Sequence, residues 1–204
     1  MTDAGPSASA PDGRRILLLV GAAGAGKGTQ AEILSRELGL AHLASGDLFR
    51  QALRAGTRLG EAAREYMERG DLVPDDITTG MFMEQLAQPA AARGAILDGF
   101  PRTVAQARAL DATLAKQGEG ISRVFYIDVP TEELVERLAG RYGMPEEQRD
   151  DDRPEVVRAR LAKQVPPMLE VVDHYDRSGL VTRIDGRQPV EGVTRAILDE
   201  LGSR

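Results

Sequence analysis

Residues 17–34 read LLLVGAAGAGKGTQAEIL. The run from Arg15 to Val20 has the length and apolar character of a buried strand. From Thr29 to Leu38, Ala31, Leu34 and Leu38 recur in helical step, and Gly39 follows where helices commonly end on a left-handed glycine. Between these elements, residues 21–27 have the G-x-x-x-x-G-K spacing of a phosphate-binding loop. Backbone N–H groups in such a loop curl round an anion, the following helix N-terminus adds partial positive charge, and Lys27 can reach the β- and γ-phosphates. A plain strand-to-helix turn needs one or two glycines, not Gly21, Gly24, Gly26 and Gly28 with a lysine inside the last pair. Gly28 departs from the common pattern: a Mg²⁺-binding hydroxyl usually follows the lysine, and here the hydroxyl is displaced to Thr29.

The rest of the chain alternates. Ala95–Leu97, Val124–Val129 and Leu180–Ile184 read as further strands, and Thr131 to about Ala139 and Val190–Leu201 as helices. Strands separated by helices imply parallel pairing, hence an α/β fold of three layers with a P-loop and a parallel sheet flanked by helices. Ligands of such sheets gather at the carboxyl ends of the strands. Residues 45–74 are helical in pattern, and 142–152 are short, polar and charged. Both read as insertions over the strand ends. Residues 1–13, MTDAGPSASAPDG, are small, polar and turn-rich without an apolar stretch, which predicts a disordered tail and no secretory signal.

Composition narrows the classes. The chain has 204 residues and a net charge of −6, enough for one domain with a real core and no basic field for nucleic acid. It contains no cysteine, which excludes disulfides, thiolate metal sites and thiol catalysis. No stretch reaches the roughly 18 apolar residues of a membrane span. With no targeting signal evident, a cytoplasmic location is expected.

Six further motifs follow the loop in order: ASGDLFR (44–50), GDLVPDD (70–76), LDGFPRT (97–103), RLAGR (137–141), RDDDRPEVVRARL (149–161) and DGRQP (185–189). Together with the GxxGxGKGT form of the loop, they resemble the nucleoside-monophosphate kinases, and adenylate kinases above all, over residues 15–202. The resemblance implies transfer of a phosphoryl group from MgATP to AMP, giving two ADP, by a chain acting as a monomer on these small molecules, away from nucleic acid and membrane. It divides residues 14–204 into a kinase domain containing a monophosphate-binding insertion at 44–74 and a short lid at 141–150. Long-lid relatives carry a larger insertion there, often with a four-cysteine zinc site. Only seven residues separate Arg141 from Arg149 here, so a short lid without structural zinc is expected.

The resemblance also assigns residues. Gly24, Ala25, Gly26, Lys27, Gly28 and Thr29 would hold the ATP phosphates, with Arg141 gripping them from the lid, and Arg137 and the backbone at Gln188 meeting the donor adenine. Arg50 and Arg102 would hold the acceptor phosphate, joined by Arg149 and Arg160 round the transferred group. Gly99, Phe100, Pro101, Ser45, Gln106 and the backbone of Asp71, Leu72 and Val73 would line the acceptor pocket. Lys27, Arg102, Arg141, Arg149 and Arg160 would form the catalytic set.

Physical chemistry agrees with so many arginines. Phosphoryl transfer needs positioning and positive charge more than covalent help. A monophosphate with a second pKa of about 6 is already a nucleophilic dianion. Guanidinium forks grip phosphate bidentately and stay charged. On a helix, Arg160 shares a face with Arg153, whereas Arg158 points elsewhere. Asp98, ending its strand near the loop, could hold Mg²⁺ through water. Asp47 could do the same or cap a helix starting near Leu48. His42 and His174 have no metal-ligand spacing and read as structural, and Met81, Phe82 and Met83 read as helix core. Gln106 offers the amide that an adenine edge requires. A kinase for another monophosphate (CMP, UMP or GMP) and a non-enzymatic nucleotide-binding module are the alternatives. A guanine-reading Asn-Lys-x-Asp is impossible in a chain that contains no asparagine.

Overall fold

Strand β1 (Arg15–Val20) is apolar on both faces, and both faces are covered. Ile16, Leu18 and Val20 point into one apolar layer, Leu17 and Leu19 into the other. That double burial accounts for an unbroken aliphatic run where an exposed strand would alternate. The structure, a computed structural model, describes residues 14–68, 73–142 and 154–202. Around β1 stand β2 (Ala41–Ala44), β3 (Gly94–Asp98), β4 (Arg123–Asp128) and β5 (Val181–Asp185), all parallel, in the order β2-β3-β1-β4-β5. The chain leaves β1 toward one edge and later crosses to the other, so a crevice opens at the carboxyl end of β1.

Register brings the functional loops to one level. Leu19 pairs with Asp98, and Asp98 with Ala44. The phosphate-loop segment, the Gly99 turn and the helix beginning at Ser45 therefore leave the sheet within a residue or two of one row.

The helices are α1 (Lys27–Leu38), α2 (Ser45–Arg54), α3 (Arg58–Glu68), α4 (Asp75–Leu86), α5 (Val104–Lys116), α6 (Thr131–Tyr142), α7 (Pro154–Asp176) and α8 (Val190–Gly202). Phe82 of α4 and Leu110 and Leu114 of α5 pack on the Leu18 face, whereas Leu34 of α1, Leu138 of α6 and Ile197 of α8 pack on the Leu17 face. Helix α7 serves both. Val157 and Leu161 belong to the second layer, Met168, Val171 and Val172 to the first, and Pro166 and Pro167 lie between. Arg160 is thus carried on the segment that passes from one layer to the other.

The expected three-layer parallel sheet is present. Strand ends differ from the sequence reading by a residue or so, and α1 begins at Lys27 instead of Thr29. One strand was not anticipated: β2, Ala-His-Leu-Ala, has little β-branched or aromatic character, and parallel pairing to β3 forms it. Residues 45–68 are helical as expected. The tail at 1–13 and lid residues 143–150 lie outside the described residues.

Leu18 is fully buried, so Leu18→Ala is expected to lower unfolding free energy by about 2–5 kcal/mol in denaturant titration. The same truncation at exposed Val156 is expected to stay within about 0.5 kcal/mol.

Candidate active site

The loop after β1 depends on two glycines with positive φ, Gly24 at 86° and Gly26 at 91°. Both conformations are costly for a side chain. Gly26 directly precedes α1, so Lys27 is the first helical residue and the partial positive charge of the helix end falls on the loop. Lys27 Nζ donates to the Ala22 carbonyl at 2.9 Å, which folds the ammonium back over its own loop. A Cβ built on Gly28 would stand 3.7 Å from Asp98 Oδ2, with nothing else near it. The unusual glycine therefore leaves space beside a carboxylate.

That carboxylate is the electrostatic centre of the site. Burial pushes the Asp98 carboxyl up, but the adjacent His42 ring and the charges of Lys27, His42 and Arg102 outweigh it and hold it below the ordinary carboxylate value. His42 Nε2 is 3.5 Å from Asp98 Oδ2, an ion-pair separation at which no hydrogen bond is formed. Among the described residues no group of three or more His, Asp or Glu side chains could hold a metal ion. A Mg²⁺ here would rest on one carboxylate, water and substrate phosphates, the manner in which this ion is commonly bound. Asp98 with the open space at Gly28 fits that role.

Arg102 faces Asp98 from the next turn. Its Nε donates to the Gly99 carbonyl at 2.7 Å and its Nη2 to Ser45 Oγ at 3.0 Å. Burial pushes the guanidinium pKa down, Asp98 raises it, and the nearby charge of Arg160 lowers it further. Gly99 (φ 72°) is required by contact as well, because a Cβ there would come within 2.7 Å of Ser45 Oγ. Phe100 is 1% exposed and stacks on Phe82 with centroids 4.2 Å apart, so only its backbone can face a ligand. Pro101 is likewise buried, and the Phe100–Pro101 peptide is cis.

Gln106 lies below Arg102 in the first turn of α5, 1% exposed. Its Oε1 accepts from the Arg102 backbone N–H at 2.7 Å and its Nε2 donates to Asp75 Oδ1 at 2.8 Å. Thr103 caps α5, accepting from the Gln106 N–H at 3.1 Å while its own hydroxyl donates to Asp75 Oδ2 at 3.0 Å. On α2, exposed Arg50 donates to Asp47 at 2.6 Å. The capping reading of Asp47 is corrected: α2 starts at Ser45 with Ala44 as its N-cap, three residues before the expected start, so Asp47 lies inside the first turn. On the far side of the loop, Arg137 of α6 donates to the Gly186 carbonyl at 2.8 Å and to Glu133 at 2.5 Å, joining the RLAGR and DGRQP motifs. Gln188 lies in the same turn, its amide donating to the Asp185 carbonyl at 3.3 Å.

Lys27, Arg102, Arg160 and Asp98 are therefore brought together, with Ser45 and Gln106 adjoining. Arg160 is half-buried and Arg158 exposed, as their helical phases imply. Val73 is buried at the start of α4, whereas Asp71, Leu72 and Arg149 lie outside the described residues, as does the side chain of Arg141. Two site neighbours escaped the sequence reading. His42 reads as structural in the sequence because it has no metal-ligand spacing; the pairing of β2 with β3 is what brings it beside Asp98. Asp75 stands beside an identical Asp76, and nothing in the local sequence says which of them turns inward.

The adenylate kinase family model matches residues 19–180. An adenylate kinase of Stenotrophomonas maltophilia is 47% identical over 89% of this chain and 96% of its own length. Adenylate kinases of Dehalococcoides mccartyi (43%) and Streptomyces avermitilis (40%) each cover 91% of this chain and at least 96% of their own. The chain belongs to the adenylate kinase family. It is accordingly an enzyme, a nucleotide-binding phosphotransferase with a P-loop, and neither the non-enzymatic module nor a kinase for another monophosphate is favoured. The Stenotrophomonas alignment runs over 182 residues. The Dehalococcoides one runs over 209, about twenty more than the residues of this chain that it covers.

The depressed Asp98 carboxyl has a measurable consequence. A group with a lowered folded-state pKa adds stability above its unfolded pKa and loses it as pH falls through the folded value. Thermal unfolding should therefore show wild type above Asp98→Asn at pH 6, with the gap narrowing below about pH 4. A gap that stays constant down to pH 2 would contradict the charge-pairing described here.

Proposed function

We propose that the chain catalyses reversible transfer of the γ-phosphoryl group of MgATP to AMP, giving two ADP. The observation that carries this reading is the convergence of Lys27 and Arg102 on half-buried Asp98 at the carboxyl ends of β1 and β3, with Arg160 of α7 close enough for its charge to act on Arg102. A lysine on a phosphate loop, a guanidinium after the neighbouring strand end and another on α7 suit two polyanions that must meet in line. Loop backbone at Gly24, Ala25, Gly26, Gly28 and Thr29 holds the donor phosphates beside Lys27. Arg137 and the backbone at Gln188 flank the donor adenine. Arg50 and Arg102 fork onto the acceptor phosphate, Ser45 keeps Arg102 aimed, and Gln106 with the backbone of 71–73 and 99–101 meets the acceptor base.

In the reaction, an acceptor phosphate oxygen attacks the γ-phosphorus while the bond to the donor's bridging oxygen breaks and ADP leaves. The acceptor is already a dianion, so no side chain removes a proton. Arg141, Arg149 and Arg160 spread positive charge over the transferred group, worth most where water is excluded. Asp98 would hold Mg²⁺ through water, and the ion, when bound with ATP, supplies charge neutralisation at the phosphates.

We further propose a zinc-free short lid at 141–150 that closes over the donor and a 44–74 unit that closes over the acceptor. The alignment to the Stenotrophomonas relative without added length supports the first. The chain acts as a monomer in the cytoplasm, with no nucleic-acid partner. Its net charge of −6 supports the last point. No helix among the described residues is long and apolar enough to cross a membrane.

A coupled assay with MgATP and AMP, CMP, UMP, GMP or dTMP in turn is expected to give the highest kcat/KM with AMP; a preference for any other acceptor overturns the assignment. Lys27→Met and Arg102→Lys, folded by circular dichroism, are each expected to lose roughly 10²-fold or more in kcat/KM.

A further inference from the structure

The Gln106 amide is held from two sides by groups of opposite hydrogen-bonding character. The Arg102 backbone N–H can only donate, and it meets Oε1 at 2.7 Å; the Asp75 carboxylate accepts, and it meets Nε2 at 2.8 Å. Turning the amide end for end would set N–H against N–H and oxygen against carboxylate. The second Asp75 oxygen is tied to Thr103 Oγ1 at 3.0 Å, so the carboxylate is itself fixed by the α5 cap. Gln106 is 1% exposed, and solvent has little part in this arrangement.

We infer that Asp75, by fixing the orientation of the Gln106 amide, determines which acceptor bases this kinase takes. The inference rests on the proposed role of Gln106 at the acceptor base. A primary amide has two N–H donors and two acceptor lone pairs. These bonds use one donor through Asp75 and one acceptor through Arg102, leaving a lone pair on Oε1 and an N–H on Nε2. The complementary base edge carries an exocyclic amino group beside an unprotonated ring nitrogen. Adenine and cytosine have that edge. Guanine, hypoxanthine and uracil present a carbonyl beside a ring N–H, which sets donor against donor and acceptor against acceptor. Leaving a buried partner unpaired is a stronger basis for rejection than shape alone. Asp75 is thus a positioning residue, acting on the base through Gln106.

AMP and IMP test this directly, because they differ only at that edge. The measurement is kcat/KM for each acceptor with MgATP, in wild type and in Asp75→Asn, Asp76→Asn and Gln106→Leu. Asparagine at 75 can donate or accept, so the amide is no longer pinned on that side. The AMP-to-IMP ratio of kcat/KM is expected to fall at least tenfold, mainly through KM. Asp76→Asn, on the exposed neighbour, is expected to keep the wild-type ratio. Should Asp75→Asn not fold, Asp75→Ser, whose hydroxyl also donates and accepts, carries the same expectation. If Gln106→Leu raises the AMP KM but a folded Asp75 variant keeps the ratio, or loses both substrates equally, the inference is overturned and the role of Gln106 stands. If Gln106→Leu leaves the AMP KM unchanged, the reading of Gln106 is overturned and the inference with it.

Discussion

Asp98 keeps its charge at the end of β3 with 13% of its side chain exposed, because Lys27, His42 and Arg102 surround it. A carboxylate withdrawn from water costs several kcal/mol unless cations and hydrogen bonds compensate. The dependence runs both ways, since Arg102 is itself half-buried and Asp98 is the group that favours its charge. One carboxylate thus offsets part of the positive charge that Lys27, Arg102 and Arg160 bring to the site. Cations meant for a polyanion would otherwise repel one another, and Arg160 already disfavours the charge on Arg102. The internal carboxylate lets lysine and arginine wait at close quarters.

This cluster explains why the fold is built to close tolerances at one level. Leu19, Asp98 and Ala44 lie in register, and a slip of one residue would turn Asp98 to the opposite face. The glycines serve the same end: Gly99 lets Ser45 and Arg102 meet, and Gly28 leaves the carboxylate's flank open.

Much of this was legible in the sequence, for identifiable reasons. β1 and its loop were readable because double burial and positive φ leave strong marks, an aliphatic run and spaced glycines. Arg102 was readable because it follows a strand-end aspartate and a Gly-Phe-Pro turn. The short alanine-rich β2 was not, because its strand character comes from β3, whose pairing also brings His42 beside Asp98. Of the two readings of Asp47, the cap fails because the helix starts three residues earlier, on a serine whose hydroxyl accepts from Arg102. The tie between Asp75 and Gln106 spans 31 positions. Only the packing of α4 against α5 creates it, and single-residue patterns do not record such pairs.

The strand order has a consequence for how this chain can change. Ser45, Arg50, Asp75, Arg102 and Gln106 all hang from the β2–β3 side of the sheet, whereas Arg137, Gly186 and Gln188 hang from the β4–β5 side. β1 stands between the two, and α7 packs against both α5 and α6. The molecule is in this sense two grips on a common rail, and the rail, not either grip, sets the distance between them.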